Sequence, residues 1–195
     1  MFAAALVAYV IGSIPFGYLI VRGLRGTDVR SEGSGNIGAT NVLRTTGRAA
    51  GIATLALDVA KGVAAVLLCR GIWGDGLPIA GELAYLCVVA GHIFPIALAF
   101  RGGKGVACAA GGAVALAPLP AAGSLAALAL VIAASRRVSA GSLAFAILYP
   151  VLYAVGDGIG AGLACVAGAS ALVILRHAGN IRRLAAGTEP RLGNR

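Results

Sequence analysis

The sequence predicts an all-α integral membrane protein with seven transmembrane helices, an external N-terminus and a cytoplasmic C-terminus. Three observations support this fold class. Of the 195 residues, 59% are hydrophobic and only 12% are charged, whereas a soluble domain has roughly 45–50% apolar and about 25% charged residues. The apolar residues fall in seven long blocks, and the basic residues cluster in alternate polar segments between them.

The seven apolar blocks are the candidates for spanning helices. A helix needs about 20 mainly apolar residues to cross a bilayer, and a partly buried helix can be shorter. Pro15 can kink the first block, which a helix bundle tolerates, while Pro118 and Pro120 separate the fourth block from the fifth. We treat residues 1–195 as a single polytopic membrane domain with active-site loops on its cytoplasmic face. The blocks cover about residues 2–21, 49–69, 77–100, 106–116, 121–134, 139–155 and 159–175.

The distribution of positive charge sets the predicted orientation, because cytoplasmic segments of membrane proteins concentrate Lys and Arg. Seven spans with an external N-terminus place fourteen of the sixteen basic residues inside, leaving Arg70 outside and Lys61 within a helix. The same asymmetry explains the net charge of +9, so nucleic-acid binding is not required. The inside set comprises Arg22, Arg25, Arg30, Arg44, Arg48, Arg101, Lys104, Arg136, Arg137, Arg176, Arg182, Arg183, Arg191 and Arg195.

The sequence offers no site for a metal or another cofactor. Its four cysteines lie in or at the ends of apolar blocks without a Cys-x-x-Cys spacing, which predicts buried small hydrophobic side chains. Two histidines and few cytoplasmic carboxylates do not make a persuasive site for a divalent ion. No Ser/His/Asp or Cys/His triad is evident from order or spacing. We therefore predict no metal and no cofactor.

A polar loop at residues 34–41, with the sequence SGNIGATN, lies in the first cytoplasmic segment. Gly35 and Gly38 allow a positive φ and a close approach of the backbone to a ligand. Successive N–H groups in such a turn can form an anion-binding nest, to which Arg44 adds charge. A flexible connector of the same composition is the alternative.

A second glycine-rich turn, Gly102-Gly103-Lys104-Gly105, precedes the fourth block. The N-terminus of a helix presents free N–H groups and the positive end of the helix dipole, which favours phosphate. The turn is not a Walker A sequence, since it lacks the glycine spacing and the Ser or Thr after Lys. A tight turn at the membrane interface is the alternative.

His177 and Asn180 follow the seventh block and would share a face if that helix continued. They could bind a hydroxyl group or position a carbonyl, or His177 could simply complement the helix dipole. His92 lies within the third block. Histidine is a common catalytic residue, but a histidine in such an apolar block more often has a packing role. Asp58 and Lys61, three residues apart in the second block, predict an internal salt bridge in preference to a proton relay.

Four polar segments fall on the predicted cytoplasmic side, where loops from one end of a bundle can line one pocket; they are residues 34–41 with Arg44, residues 102–105, residues 136–142 and residues 176–183. That pocket would be cationic, poor in metal ligands and next to the membrane. It suits a small substrate that carries phosphate together with a lipidic one.

Three ordered motifs resemble bacterial acyl-phosphate-dependent glycerol-3-phosphate acyltransferases, the PlsY family. They are SGNIGATN at residues 34–41 followed by Arg44; GHIFP at residues 91–95 with FRGGKGVA at residues 100–107; and Arg176-His177 followed by Asn180, Ile181, Arg183, Leu184, Gly187 and Glu189. SIPFG at residues 13–17 also looks like this family, and the resemblance covers nearly the whole chain.

The resemblance implies transfer of a fatty acyl group from acyl phosphate to the 1-hydroxyl of glycerol-3-phosphate, giving lysophosphatidic acid in phospholipid synthesis. It implies a multi-pass protein of the bacterial inner (plasma) membrane, with the lipid bilayer and the two substrates as its partners and no obligate protein partner. His177, Asn180 and Lys104 are the expected catalytic residues. The expected substrate-binding residues are Ser34, Gly35, Asn36, Gly38, Thr40, Asn41, Arg44, His92, Gly102, Gly103, Lys104, Gly105 and Ser142.

Two details of the chemistry stay open at this point. The general base could be His177 or a substrate phosphate, and we favour the phosphate. The loop at residues 34–41 could hold the phosphate of the donor or that of the acceptor, and we favour the donor. The alternative function is a transporter for an organic phosphate, which would also use basic residues and helices broken by glycine.

Overall fold

The computed structural model describes residues 1–193, and within that range the chain forms ten α-helices and two 3-10 turns, with no strand. Arg195, predicted to lie in the cytoplasmic tail, is outside the described residues. The α-helices are α1 (Phe2–Gly12), α2 (Phe16–Arg25), α3 (Ala39–Thr45), α4 (Arg48–Trp73), α5 (Ala80–Ile93), α6 (Val106–Leu116), α7 (Pro118–Ser135), α8 (Val138–Asp157), α9 (Ala161–Arg176) and α10 (Ala178–Ala185); the 3-10 turns are Val29–Ser31 and Ile96–Leu98.

Each predicted apolar block contains a helix, and the described part of the chain holds five segments long and apolar enough to cross a membrane. A sixth is possible if α9 and α10, which meet at a bend of 59°, are taken together. The fourth block forms α6, whose 11 residues make a helix of only about 16 Å at 1.5 Å per residue. The fold is therefore a helical membrane bundle with five or six candidate spans, compared with the seven predicted.

The helices of the bundle pack closely through small residues, as expected for membrane helices. A Cβ atom on Gly62 of α4 would lie 2.1 Å from the Cys108 carbonyl oxygen of α6, and one on Gly111 would lie 2.0 Å from the Val59 carbonyl oxygen. The two backbones therefore come as near as glycine allows, and α6 is held along α4 inside the bundle.

The first block breaks where Pro15 predicted a kink, since α1 ends at Gly12 and α2 begins at Phe16. The predicted salt bridge is also present, with Lys61 Nζ 2.9 Å from Asp58 Oδ1. All four cysteines are free; Cys69 and Cys108 are buried, and Cys87 and Cys165 are half-buried.

Candidate functional site

Four polar segments meet at one end of the bundle. Arg176, at the end of α9, donates hydrogen bonds from Nη2 to the Gly102 carbonyl at 3.2 Å and from Nε to the Gly103 carbonyl at 3.4 Å. Arg30 donates from Nη1 to the Leu98 carbonyl at 3.4 Å, which ties the segment before residue 34 to the one before Gly102. The predicted convergence of these segments therefore includes direct contacts between them.

Lys104 and Asn180 form the central contact of the site. The ammonium Nζ of Lys104 donates a hydrogen bond to Oδ1 of Asn180 at 2.5 Å. Asn180, near the start of α10, is buried, and Lys104 is half-buried. Because an ammonium group can only donate, this contact fixes which end of the Asn180 amide faces Lys104.

Glu189 completes the arrangement from the segment after α10. Its Oε1 accepts hydrogen bonds from Asn180 Nδ2 and Ser139 Oγ, both at 2.6 Å, and its Oε2 accepts one from Arg183 Nε at 2.7 Å. Burial favours a higher pKa for Glu189, but these hydrogen bonds and the charge of Arg183 outweigh it and lower the pKa. The carboxylate is therefore charged at neutral pH and holds the Asn180 amide from the side opposite Lys104.

The charge balance around Lys104 is strongly positive. Burial lowers the pKa of Lys104 below its ordinary value; Glu189 opposes this effect, and the charges of Arg183, Arg176 and Arg44 add to it. Arg44, which is exposed at the end of α3, makes the smallest of these contributions to the lower pKa of Lys104. Three arginines around one lysine make a cationic region that an anion would stabilise.

His177 lies at the junction of α9 and α10 and is only 1% exposed. Its Nδ1 is 2.8 Å from the Val173 carbonyl oxygen. Since a carbonyl can only accept, Nδ1 carries the proton in this contact, and Nε2 of the neutral ring is left with a lone pair. Burial lowers the pKa of His177 to about 4. At neutral pH the ring is therefore uncharged.

The loop at residues 34–41 is organised by its own asparagines. Asn41 is 2% exposed; its Oδ1 accepts from the Ser34 N–H at 2.9 Å, and its Nδ2 donates to the Asn36 carbonyl at 2.9 Å and the Glu32 carbonyl at 3.1 Å. Asn36 Oδ1 accepts from the Gly38 N–H at 2.7 Å. Gly35 has a φ of +70°. The loop is thus a defined turn, with Ser34, Gly35 and Thr40 exposed at its surface.

Two of the predicted substrate-binding residues, His92 and Ser142, contact groups other than Lys104 and Asn180. His92 is buried beneath the glycine turn, because a Cβ atom on Gly103 would lie 2.1 Å from His92 Nε2. Ser142 donates its hydroxyl hydrogen to the Val138 carbonyl at 2.9 Å within α8. Neither side chain contacts Lys104 or Asn180 through a hydrogen bond among residues 1–193.

Four residues that make contacts around Lys104 and Asn180 had no predicted site role, although the sequence contains partial signals for them. They are Arg176, Arg183, Glu189 and Ser139. Arg176, Arg183 and Glu189 belong to the third motif, but the motif does not show which of them bond to one another. Ser139, which contacts Glu189, lies three residues before Ser142, on the same side of a helix. The spacing could not show that Ser139 is the residue that donates to Glu189.

Comparisons with known proteins agree with this picture. Residues 2–187 match the family model described as glycerol-3-phosphate acyltransferase. The chain is 42% identical over 194 residues to a glycerol-3-phosphate acyltransferase of Clostridioides difficile, covering 98% of this chain and 95% of that relative. It is 46% identical over 193 residues to one of Cereibacter sphaeroides, covering 97% of this chain and 89% of the relative.

Two solved structures resemble the fold. Both are crystal structures of PlsY (YgiH), an integral membrane glycerol 3-phosphate acyltransferase, and both are 35% identical to this chain. The glycerol 3-phosphate form has a TM-score of 0.90 and the lysophosphatidic acid form one of 0.85, and each comparison covers 98% of this chain and 95% of that structure.

Proposed function

We propose that this chain, which belongs to the glycerol-3-phosphate acyltransferase family, transfers a fatty acyl group from acyl phosphate to the 1-hydroxyl of sn-glycerol-3-phosphate. The product is lysophosphatidic acid, an early intermediate of phospholipid synthesis. The observation that carries the proposal is the contact between Lys104 and Asn180, set in a cationic cluster beside the glycine turn. The similar structures in glycerol 3-phosphate and lysophosphatidic acid forms support the acceptor and the product. The transporter alternative has no support from these relatives.

The proposed setting is the bacterial inner membrane, with the site facing the cytoplasm. We propose that α6 acts as a short seventh span held against α4, so that the N-terminus lies outside and the C-terminus inside. The position of the basic residues supports this orientation. A multi-pass chain with its site at one end would let a lipidic donor enter from the bilayer and a charged acceptor from water.

The two glycine-containing loops are proposed to hold the phosphate groups. Ser34, Gly35, Asn36, Gly38 and Thr40 would surround the donor phosphate, with Asn41 fixing the shape of their loop through its hydrogen bonds. Lys104 would add charge from the turn formed by Gly102, Gly103 and Gly105. Arg44 and Ser142 would help to fix glycerol-3-phosphate. Charge-assisted contacts of this type are the strong hydrogen bonds of phosphate sites.

The transfer step needs no covalent enzyme intermediate, because acyl phosphate is already activated. The oxygen of the acceptor hydroxyl attacks the acyl carbonyl carbon, the bond from that carbon to the phosphate oxygen breaks, and inorganic phosphate leaves. Holding both substrates side by side makes the attack effectively intramolecular. The side-chain amide of Asn180 has two N–H groups, one of which donates to Glu189. Lys104 and the second N–H of Asn180 would stabilise negative charge on the carbonyl oxygen and on the departing phosphate.

A substrate phosphate is the proposed acceptor of the hydroxyl proton. His177 has a pKa of about 4 and is therefore a weak base, whereas a phosphate monoester has a second pKa of about 6. The lone pair on His177 Nε2 can still orient the acceptor hydroxyl by accepting its hydrogen bond. His177 would then contribute to geometry more than to proton transfer.

A direct assay tests the proposal. The purified protein in detergent receives acyl phosphate, or acyl-CoA as the control donor, together with labelled glycerol-3-phosphate. We expect labelled lysophosphatidic acid with acyl phosphate only and without a second protein. Absence of labelled lysophosphatidic acid in detergent, together with uptake of label into vesicles that contain the protein, would contradict the proposal, and equal transfer from acyl-CoA would contradict the assigned donor.

A further inference from the structure

A buried cluster of three titratable side chains lies between the loop at residues 34–41 and the glycine turn at residues 102–105. It takes no part in the transfer step proposed above. Asp58 and Lys61 of α4 and His92 of α5 are each no more than 4% exposed. Lys61 Nζ is 2.9 Å and His92 Nδ1 is 3.5 Å from the same oxygen, Asp58 Oδ1. A buried ion pair adds little stability compared with apolar side chains of the same volume. The cluster is therefore of interest for what it holds in place.

His92 connects this cluster to the glycine turn. Its imidazole ring lies directly against Gly103, where a Cβ atom would come within 2.1 Å of Nε2. The N–H groups of Gly103 and Gly102 donate to the carbonyls of His92 and Ile93, both at 3.1 Å. The position of the ring thus sets the position of the turn from which Lys104 extends.

Lys61 connects the same cluster to the loop at residues 34–41. Its Nζ donates a hydrogen bond to the Ile14 carbonyl at 2.7 Å, at the break between α1 and α2. Three residues later, Gly17 packs against the carbonyl of Ile37, and a Cβ atom on Gly17 would lie 1.9 Å from that oxygen. The start of α2 therefore links Lys61 to the backbone of the loop.

We infer that Asp58, Lys61 and His92 form a positioning network that fixes the glycine turn relative to the loop at residues 34–41. Asp58 is the shared partner, with Lys61 on the side of the loop and His92 on the side of the turn. The network would align the acyl carbonyl with the acceptor hydroxyl without contacting either substrate. This inference rests on the proposed function. A misplacement of about 1 Å can cost about 100-fold in rate, so the expected effect is on transfer.

The double variant D58N/K61M provides the test. It keeps the volume of both side chains and removes both charges together, which avoids leaving one buried charge unpaired. We expect a melting temperature in detergent close to that of the wild type, and a fall of about tenfold or more in kcat/KM that lies in kcat, because the network aligns the reacting groups without contacting either substrate. Tyr153→Phe is the matched control, because it removes a 2.8 Å hydrogen bond to Glu82 at the other end of the bundle and should leave the kinetics unchanged.

A folded double variant with wild-type kinetics would overturn the network. If the double variant is not recovered folded, His92→Ala and His92→Asn decide the question, since the Asn amide can place an N–H group where Nδ1 lies. Lower kcat/KM in the Ala variant with partial recovery in the Asn variant supports the network, while equal losses or no loss in both would overturn it. Product formation by the wild type in the same assay separates failure of the network from failure of the proposed function.

Discussion

Lys104 Nζ and Asn180 Oδ1 are 2.5 Å apart although the two residues are 76 positions apart in the sequence. The Asn180 amide lies between two charged groups, with the ammonium of Lys104 on its oxygen and the carboxylate of Glu189 on its nitrogen. An ammonium group only donates and a carboxylate only accepts, so the amide has one stable orientation. Asn180 therefore presents its second N–H in a fixed direction before substrate arrives.

Replacement of Glu189 tests this orientation. Glu189→Gln should weaken the hydrogen bonds from Ser139, Asn180 and Arg183, each of which is worth about 1.5–3 kcal/mol when one partner is charged. We expect a lower melting temperature and slower transfer. Thr188→Ala, which removes an exposed hydroxyl in the same segment, serves as the control. Unchanged stability and rate in the Gln variant would contradict the role of the carboxylate.

The stability that Glu189 contributes should depend on pH. Its pKa in the folded protein is lowered from the ordinary value of 4.5, so the folded state favours the charged carboxylate. This contribution is fully present well above pH 4.5 and is lost as the pH falls through the folded pKa. Melting curves of the wild type and Glu189→Gln should therefore converge at acidic pH; a constant difference down to pH 3 would contradict the shift.

The rate of transfer should fall at alkaline pH because Lys104 loses its proton. The pKa of Lys104 is lowered from 10.5, chiefly by burial, so the fall should begin below that value. Lys104→Arg retains its positive charge at every accessible pH. This variant should therefore show no alkaline fall in kcat/KM, although its maximum rate is lower than that of the wild type. If kcat/KM falls at the same alkaline pH in both proteins, the fall comes from a group other than Lys104.

The structure gives sharp expectations for two glycines. In Gly103→Ala the new Cβ atom would meet the His92 ring at 2.1 Å, whereas Gly71 has no atom within 4 Å of the equivalent position. We expect Gly103→Ala to lower kcat/KM by about 100-fold, as for a displaced catalytic loop, and Gly71→Ala to behave as the wild type. Steady-state kinetics of both variants check this, and an active Gly103→Ala protein would contradict the close packing.

The sequence predicted the helical bundle well because apolar blocks and charge segregation are local signals. The kink at Pro15 and the Asp58–Lys61 salt bridge were both predicted from residue type and spacing. The fourth predicted block coincides with α6 (Val106–Leu116), but its 11 residues are too few for it to count among the candidate spans. The five or six candidate spans of the structure follow from that short helix and from the bend after Arg176.

The sequence predicted which segments come together more completely than it predicted the contacts between them. Motifs identify Lys104, His177 and Asn180, but a sequence cannot show that Glu189 joins Ser139 to Asn180 across three separate segments. His92 carried the residue type of a catalyst, and only the packing against Gly103 shows that it lies beneath the turn. Contacts between distant segments depend on the fold, so spacing along the chain cannot reveal them.

The most direct test of the account is acyl transfer by Lys104→Ala and Asn180→Ala, each purified as a folded protein and supplied with acyl phosphate and labelled glycerol-3-phosphate. Removal of one preorganised donor of this kind typically costs about 100- to 1,000-fold in kcat. We predict a loss of that size in both folded variants, and Asn180→Ala should also melt at a lower temperature because it removes a hydrogen bond to the Glu189 carboxylate. Full transfer of label into lysophosphatidic acid by either folded variant would contradict the assignment of the active site.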